Sequence, residues 1–103
     1  MPRIPLGQVD DMAVNSVRQI LADGAPPVAL YRLVDGFFAT AELCSHGEAS
    51  LAEGDIDGDE IVCPFHLGKF DIRTGEPTAA PCLTAIKTYA VSVEAGELYL
   101  ELP

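Results

Sequence analysis

Nine glycines and eight prolines punctuate this chain of 103 residues. They break it into short segments, the pattern of a mostly β domain with tight turns. Residues 28–34, VALYRLV, are rich in β-branched and aromatic side chains. They read as a strand, with Asp35-Gly36 turning the chain into a second strand over residues 37–41. Residues 88–102, TYAVSVEAGELYLEL, show the clearest alternation. Tyr89, Val91 and Val93 alternate with small or polar residues, Ala95-Gly96 turns the chain, and Leu98, Leu100 and Leu102 alternate on the return. A two-stranded antiparallel ending is expected.

One segment has a different period. Val9, Met12, Ala13, Val17, Ile20 and Leu21 fall at spacings of three and four, which fits one face of a short helix, and Pro26-Pro27 closes the segment. No repeat, linker or low-complexity tract interrupts the chain, and its length suits one domain spanning residues 1–103.

Six basic against sixteen acidic side chains give a net charge of -10. Such a surface repels phosphate backbones and anionic lipid, so neither nucleic acid nor membrane is an expected partner. A protein with a basic docking face is, although the same charge also serves solubility. No apolar run approaches the roughly 20 residues that span a bilayer, and the opening MPRIPLGQVDD lacks the apolar stretch of a signal peptide. A cytoplasmic location follows as an expectation. Thiols are kept reduced there, so Cys44, Cys63 and Cys82 read as ligands or free thiols rather than disulfide partners.

Residues 44–46 are C-S-H and residues 63–66 are C-P-F-H, and these two short stretches contain both histidines of the chain. A single Cys-His pair would read as a small buried residue beside an ordinary core histidine. Two pairs, each beside Gly or Pro, point instead to a metal centre. Metal–ligand bonds would also hold the Gly-marked stretch between Cys44 and Pro81, which looks like loops without a core of their own. Two thiolates and two imidazoles suit tetrahedral zinc. The usual zinc order, however, groups the cysteines in one knuckle and the histidines in another, whereas here each loop carries one of each. A mixed-ligand iron–sulfur cluster needs that mixed order.

The arrangement C-S-H, sixteen residues, then C-P-F-H resembles the C-x-H…C-x-x-H signature of Rieske proteins. The likeness extends through ALYRLVDGFFATAELCSHG, HLGKFDIRTGEP and AIKTYAVSVEAGELYLEL, and is strongest to the small Rieske-type ferredoxins of bacterial aromatic ring-hydroxylating dioxygenase systems. The resemblance implies an all-β Rieske fold, an antiparallel β-sandwich or barrel with a small cluster-binding subdomain of loops at about residues 43–82. It implies a Rieske-type [2Fe-2S] cluster with Cys44 and Cys63 on the inner iron and His46 and His66 on the outer one. Gly47, Leu67 and Gly68 fall where the family's loops aim backbone N–H groups at cluster sulfurs, and Pro81 matches a proline of the covering loop.

Rieske proteins of respiratory and photosynthetic complexes carry an extra cysteine in each cluster loop and a membrane anchor. Here Ala49 and Phe65 occupy those loop positions. Those relatives also carry a serine and a tyrosine whose hydroxyls donate to cluster sulfurs, where this chain has Gly68 and Phe70. Without those donors the reduced cluster is less stabilised, and a potential near the low end of the Rieske range, about -150 mV, is expected. Terminal oxygenases need a second, mononuclear-iron domain that 103 residues cannot supply. The resemblance therefore implies a monomeric one-electron carrier without a substrate site. An NAD(P)H-dependent flavin reductase would fill it and a terminal oxygenase would empty it. The rival readings are a Rieske-like small subunit of a reductase such as nitrite reductase, and a zinc-stabilised non-redox module.

Three further features are read conservatively. DIDGDE at 55–60 has Glu60 where a calcium loop requires Gly and His66 where its closing Glu belongs, so Asp57-Gly58 is read as a turn. Cys82 is surplus to a complete ligand set and reads as a small buried residue. Glu48, Glu53 and Asp55 are docking charges or a solvated loop.

Overall fold

The computed structural model describes residues 3–21, 26–43, 50–64, 68–79 and 85–101. Ten strands form two antiparallel sheets among them. The larger is six-stranded, in the order β1-β10-β9-β4-β3-β2, from β1 (Arg3–Gln8), β2 (Ser16–Ile20), β3 (Val28–Leu33), β4 (Gly36–Ala41), β9 (Thr88–Glu94) and β10 (Glu97–Glu101). The smaller is four-stranded, in chain order, from β5 (Asp55–Asp57), β6 (Glu60–Val62), β7 (Lys69–Asp71) and β8 (Pro77–Ala79). The all-β expectation holds. The segment read as loops, however, carries a sheet and a core.

That core exists because β3 is apolar on both faces. Val28 and Leu30 pack with Leu6, Met12, Ala39, Leu98 and Leu100 inside the large sheet. Ala29, Tyr31 and Leu33 pack the opposite way, against Leu51, Ile61, Cys63, Phe70, Ile72 and Ile86 from the small sheet and its flanks. A strand covered on both sides reads as a hydrophobic run rather than an alternation, which is what VALYRL is apart from Arg32. Burial pushes the Tyr31 hydroxyl well above its ordinary pKa, and a 2.8 Å hydrogen bond with Thr40 satisfies it.

The helix-like spacing of residues 9–21 does not produce a helix. Val9–Asp11 form one 3-10 turn, Asn15 adopts a left-handed conformation (φ 62°), and Ser16–Ile20 pair with β3 as β2. Two constraints decide this. The free backbone groups of β3 need a partner, and Arg32 reaches out of β3 to donate to Val9 O and Met12 O at 2.9 and 2.6 Å, fixing the turn. Met12 is buried and Val9 and Ile20 pack on the core, whereas Leu21 is 70% exposed.

Two of the expected turns are displaced by one residue. Val34 and Asp35 form the β3–β4 turn, and Gly36 already pairs with Leu33. Gly58 and Asp59 form the β5–β6 turn, and Asp57 pairs with Glu60. The Ala95-Gly96 turn is where alternation places it, with φ values of 53° and 81°, the two positive angles that a two-residue hairpin of matching twist requires. Arg73 ties the two displaced turns together, donating to Asp35 Oδ1 at 2.7 Å and Asp59 Oδ1 at 3.1 Å while its guanidinium lies 4.8 Å from the Phe38 ring. Donation to Asp35, then to Asp59, raises Arg73 above its usual value, and the same bond holds Asp35 below the ordinary carboxylate range.

Gly75 locks the small sheet to the segment entering β9. It accepts from Ile86 N at 2.9 Å and has φ +79°, and a Cβ there would lie 2.1 Å from Ile86 O. Gly58 also has positive φ (+64°), but open space surrounds it. Gly58→Ala should therefore cost about 1 kcal/mol, the left-handed penalty alone. Gly75→Ala adds a backbone collision and should cost about 3 kcal/mol or more. Denaturant unfolding of both variants checks this, and equal losses would contradict the collision.

Candidate metal centre

The segment containing the first Cys-His pair is pinched at its base. Leu43 and Ser50 form an isolated antiparallel bridge, and Leu51 N donates to Glu42 O at 2.8 Å, so residues 44–49 emerge from a closed neck. The exit is a 3-10 turn, Leu51–Glu53, capped by Ser50 Oγ accepting from Ala52 N. The second pair lies beyond β6 in a similar frame. Cys63 N donates to Gly68 O at 2.7 Å, which closes a stem just before β7 begins at Lys69.

The two necks touch. Gly54 follows the first loop's exit turn, and a Cβ on it would lie 2.1 Å from Val62 O, the residue before Cys63. Leu51 and Cys63 belong to one buried cluster, and Asp55 pairs with Val62. The fold thus brings together the stems of the two segments that each carry one Cys and one His, at one end of the small sheet.

Cys63 is 1% exposed and forms no disulfide with another described residue. It shares a face with Ile61 and packs with Phe70, which is 0% exposed and pairs with Ile61. Gly68 is buried, its carbonyl engaged by Cys63 N. Cys44, His46, Gly47, Phe65, His66, Leu67, Pro81 and Cys82 lie outside the described residues. The surroundings change from buried to open within one residue at each neck. Leu43 is 52% exposed next to buried Glu42, and exposed Pro64 follows buried Cys63.

This arrangement fits a two-iron cluster held between loops. Soft thiolate and imidazole donors suit iron–sulfur chemistry, and the apolar packing of Cys63 supplies the dry inner side such a centre requires. The calcium-like segment is a plain hairpin with two of its four carboxylates engaged elsewhere. Asp57 pairs with Lys69 at 2.8 Å and Asp59 with Arg73 at 3.1 Å.

Residue-by-residue reading of the sequence missed Glu42. It is 5% exposed and accepts from both Gln19 Nε2 and Ser50 Oγ at 2.6 Å. Its only sequence signal is a charged residue on the edge of the motif, which ordinarily reads as surface.

A model of the Rieske [2Fe-2S] domain family matches residues 3–90. The chain is 46% identical over 90 residues to ferredoxin CarAc of Metapseudomonas resinovorans, covering 87% of this chain and 84% of that one. It is 39% identical over 100 residues to the ferredoxin component of the p-cumate 2,3-dioxygenase system of Pseudomonas putida, covering 96% and 85%. Among solved structures, a chain from the complex of reduced oxygenase and oxidised ferredoxin in carbazole 1,9a-dioxygenase superimposes with TM-score 0.91 at 40% identity, covering 98% of this chain and 97% of that one.

Replacing Cys44, His46, Cys63 or His66 with alanine should abolish iron binding and remove most of the thermal stability, because the necks would then close loops with nothing between them. Iron assay and thermal melts of the four variants check this, with full iron retention removing a residue from the ligand set. Cys82→Ala should retain its iron.

Proposed function

Because the chain belongs to the Rieske [2Fe-2S] domain family, we propose that Cys44 and Cys63 hold the inner iron and His46 and His66 the outer iron of its cluster. Gly47, Phe65, Leu67, Gly68, Phe70 and Pro81 would surround it. The observation that supports this assignment is the contact between two pinched loop stems, with a buried Cys63 thiol on one of them. When bound, the cluster supplies a one-electron redox centre.

The protein is an electron carrier of a multicomponent oxygenase system rather than an enzyme with its own substrate site, as its relatives' names as ferredoxin components indicate. Its partners are a flavin-dependent ferredoxin reductase that loads it and a terminal oxygenase that unloads it. The system it serves acts on aromatic compounds. The shared strand β3 supports reading the chain as one domain, with residues 43–82 forming the cluster-binding part. Among the described residues no helix is long and apolar enough to cross a membrane. The reading places the carrier in the cytoplasm as a monomer.

The residues around the necks indicate how the electron passes. Leu51, Ile61, Cys63 and Phe70 exclude water from the inner side. Leu43 and Pro64 on the opposite side are exposed, and a partner would approach there, on the histidine edge. The EPR and visible spectra of purified protein test the reading. A brown protein with a rhombic reduced signal of average g below 2 is expected, and a colourless zinc protein would overturn it.

Charge generates one prediction. Of the six cations, Arg3, Lys69 and Arg73 are paired with carboxylates of this same chain, leaving an acidic surface for docking. Electron transfer from the reductase should slow as salt is raised, since about 0.1 M salt screens over about 10 Å. A rate indifferent to ionic strength would assign the charge to solubility alone.

The missing hydroxyl donors generate another. Phe70→Tyr should place a hydroxyl beside a cluster sulfur, favour the more negative reduced state and raise the potential. A net 1 to 2 kcal/mol for one such hydrogen bond corresponds to about 40 to 90 mV for a one-electron couple. Because Phe70 is fully buried, a thermal melt must accompany the voltammetry. An intact variant with unchanged or lower potential would show that the absent hydroxyl does not set the redox level.

A further inference from the structure

Glu42 is the one buried charged side chain among the described residues. A carboxylate is almost never buried without a cation, because taking its charge out of water is costly. No cation pairs with Glu42 among the described residues. Its partners are neutral, the Gln19 amide and the Ser50 hydroxyl, both donating to Oε2 at 2.6 Å. Its own N–H donates to Pro27 O at 3.2 Å, and its carbonyl accepts from Leu51 N at 2.8 Å. Accepting twice, with no donation to any described residue, is the hydrogen-bond pattern of an ionised carboxylate. Among the described residues the charge is thus held by two neutral donors, with no opposite charge paired to it.

A neutral residue could brace the same neck. Ser50 already caps the exit turn through Ala52 N, and the Leu43–Ser50 bridge closes the loop through the backbone. What Glu42 adds is charge, two residues before Cys44, a backbone reach of about 7 Å. In a poorly hydrated setting a fixed charge at such range acts with a low effective dielectric, and it opposes the arrival of an electron.

We propose that the buried Glu42 carboxylate is a positioning and electrostatic residue that holds down the reduction potential of the centre from the base of its first ligand loop. The proposal rests on the reading of Cys44 as a ligand. It concerns this residue's charge rather than the hydroxyl donors discussed above.

Glu42→Gln keeps an acceptor for Ser50 and Gln19 and removes the charge. In protein film voltammetry at one pH it should raise the reduced-to-oxidised ratio at fixed potential about tenfold, an upward shift of about 59 mV for a one-electron couple. Glu42→Asp, which keeps the charge, should leave the ratio within about twofold. A brace that depended on side-chain length would give the opposite ranking. Gln19 is exposed, so Gln19→Lys tolerates the change and sets a cation on the intact carboxylate. It should shift the potential in the same direction, and it decides the matter if Glu42→Gln fails to hold iron. Unchanged potentials in Gln19→Lys and in any iron-loaded Glu42→Gln would overturn the proposal and leave Glu42 as a brace. Iron retained in Cys44→Ala would overturn the assignment of the site itself.

Discussion

The structure depends on β3 being apolar on both faces. Each inward residue of an ordinary surface strand buries one core, but here neighbouring residues bury two. Val28 and Leu30 face the large sheet, and Ala29, Tyr31 and Leu33 face the small one. Removing one face would expose side chains such as Leu33, each worth about 1.5–3 kcal/mol of burial. The small sheet is therefore bound to the large one by the hydrophobic effect as well as by whatever the loops hold. The ion pairs of Arg73 at the turns add geometry to that union, since exposed pairs contribute little energy.

That arrangement explains how two short loops can be positioned without a large scaffold. Their stems are fixed by backbone bonds at the necks, by the close approach of Gly54 to Val62, and by a common core containing Leu51 and Cys63. The sheet behind them packs a dry apolar core. The residues in front of them, Leu43 and Pro64, face outward. An electron carrier needs this asymmetry, with a shielded side that limits reorganisation and an open side that a partner can reach. The acidic surface then governs how partners find it.

Much of this was legible in the residues. The final hairpin followed from alternation and from Ala95-Gly96. The two loops followed from the placement of cysteine and histidine, because metal chemistry constrains residue type and spacing more tightly than packing does. The turns at Val34-Asp35 and Gly58-Asp59 were misplaced by one position, since a glycine can end a turn as well as sit within it, and strand register decides which. The segment at 9–21 has helical spacing and forms a turn and a strand, because pairing with β3 and the reach of Arg32 outweigh a weak local preference.

The sequence by itself determined the chemistry: which residues are available to hold metal, in what order, within a β-rich acidic chain. Those are properties of residue type and local spacing. Only the tertiary structure decided that the two loop stems lie against each other, that the small sheet has its own core, and that Glu42 is buried beside the motif with neutral partners among the described residues. Those facts depend on contacts between residues far apart in the chain, such as Glu42 with Gln19 and Leu51 with Cys63. No local pattern encodes which distant surfaces will meet.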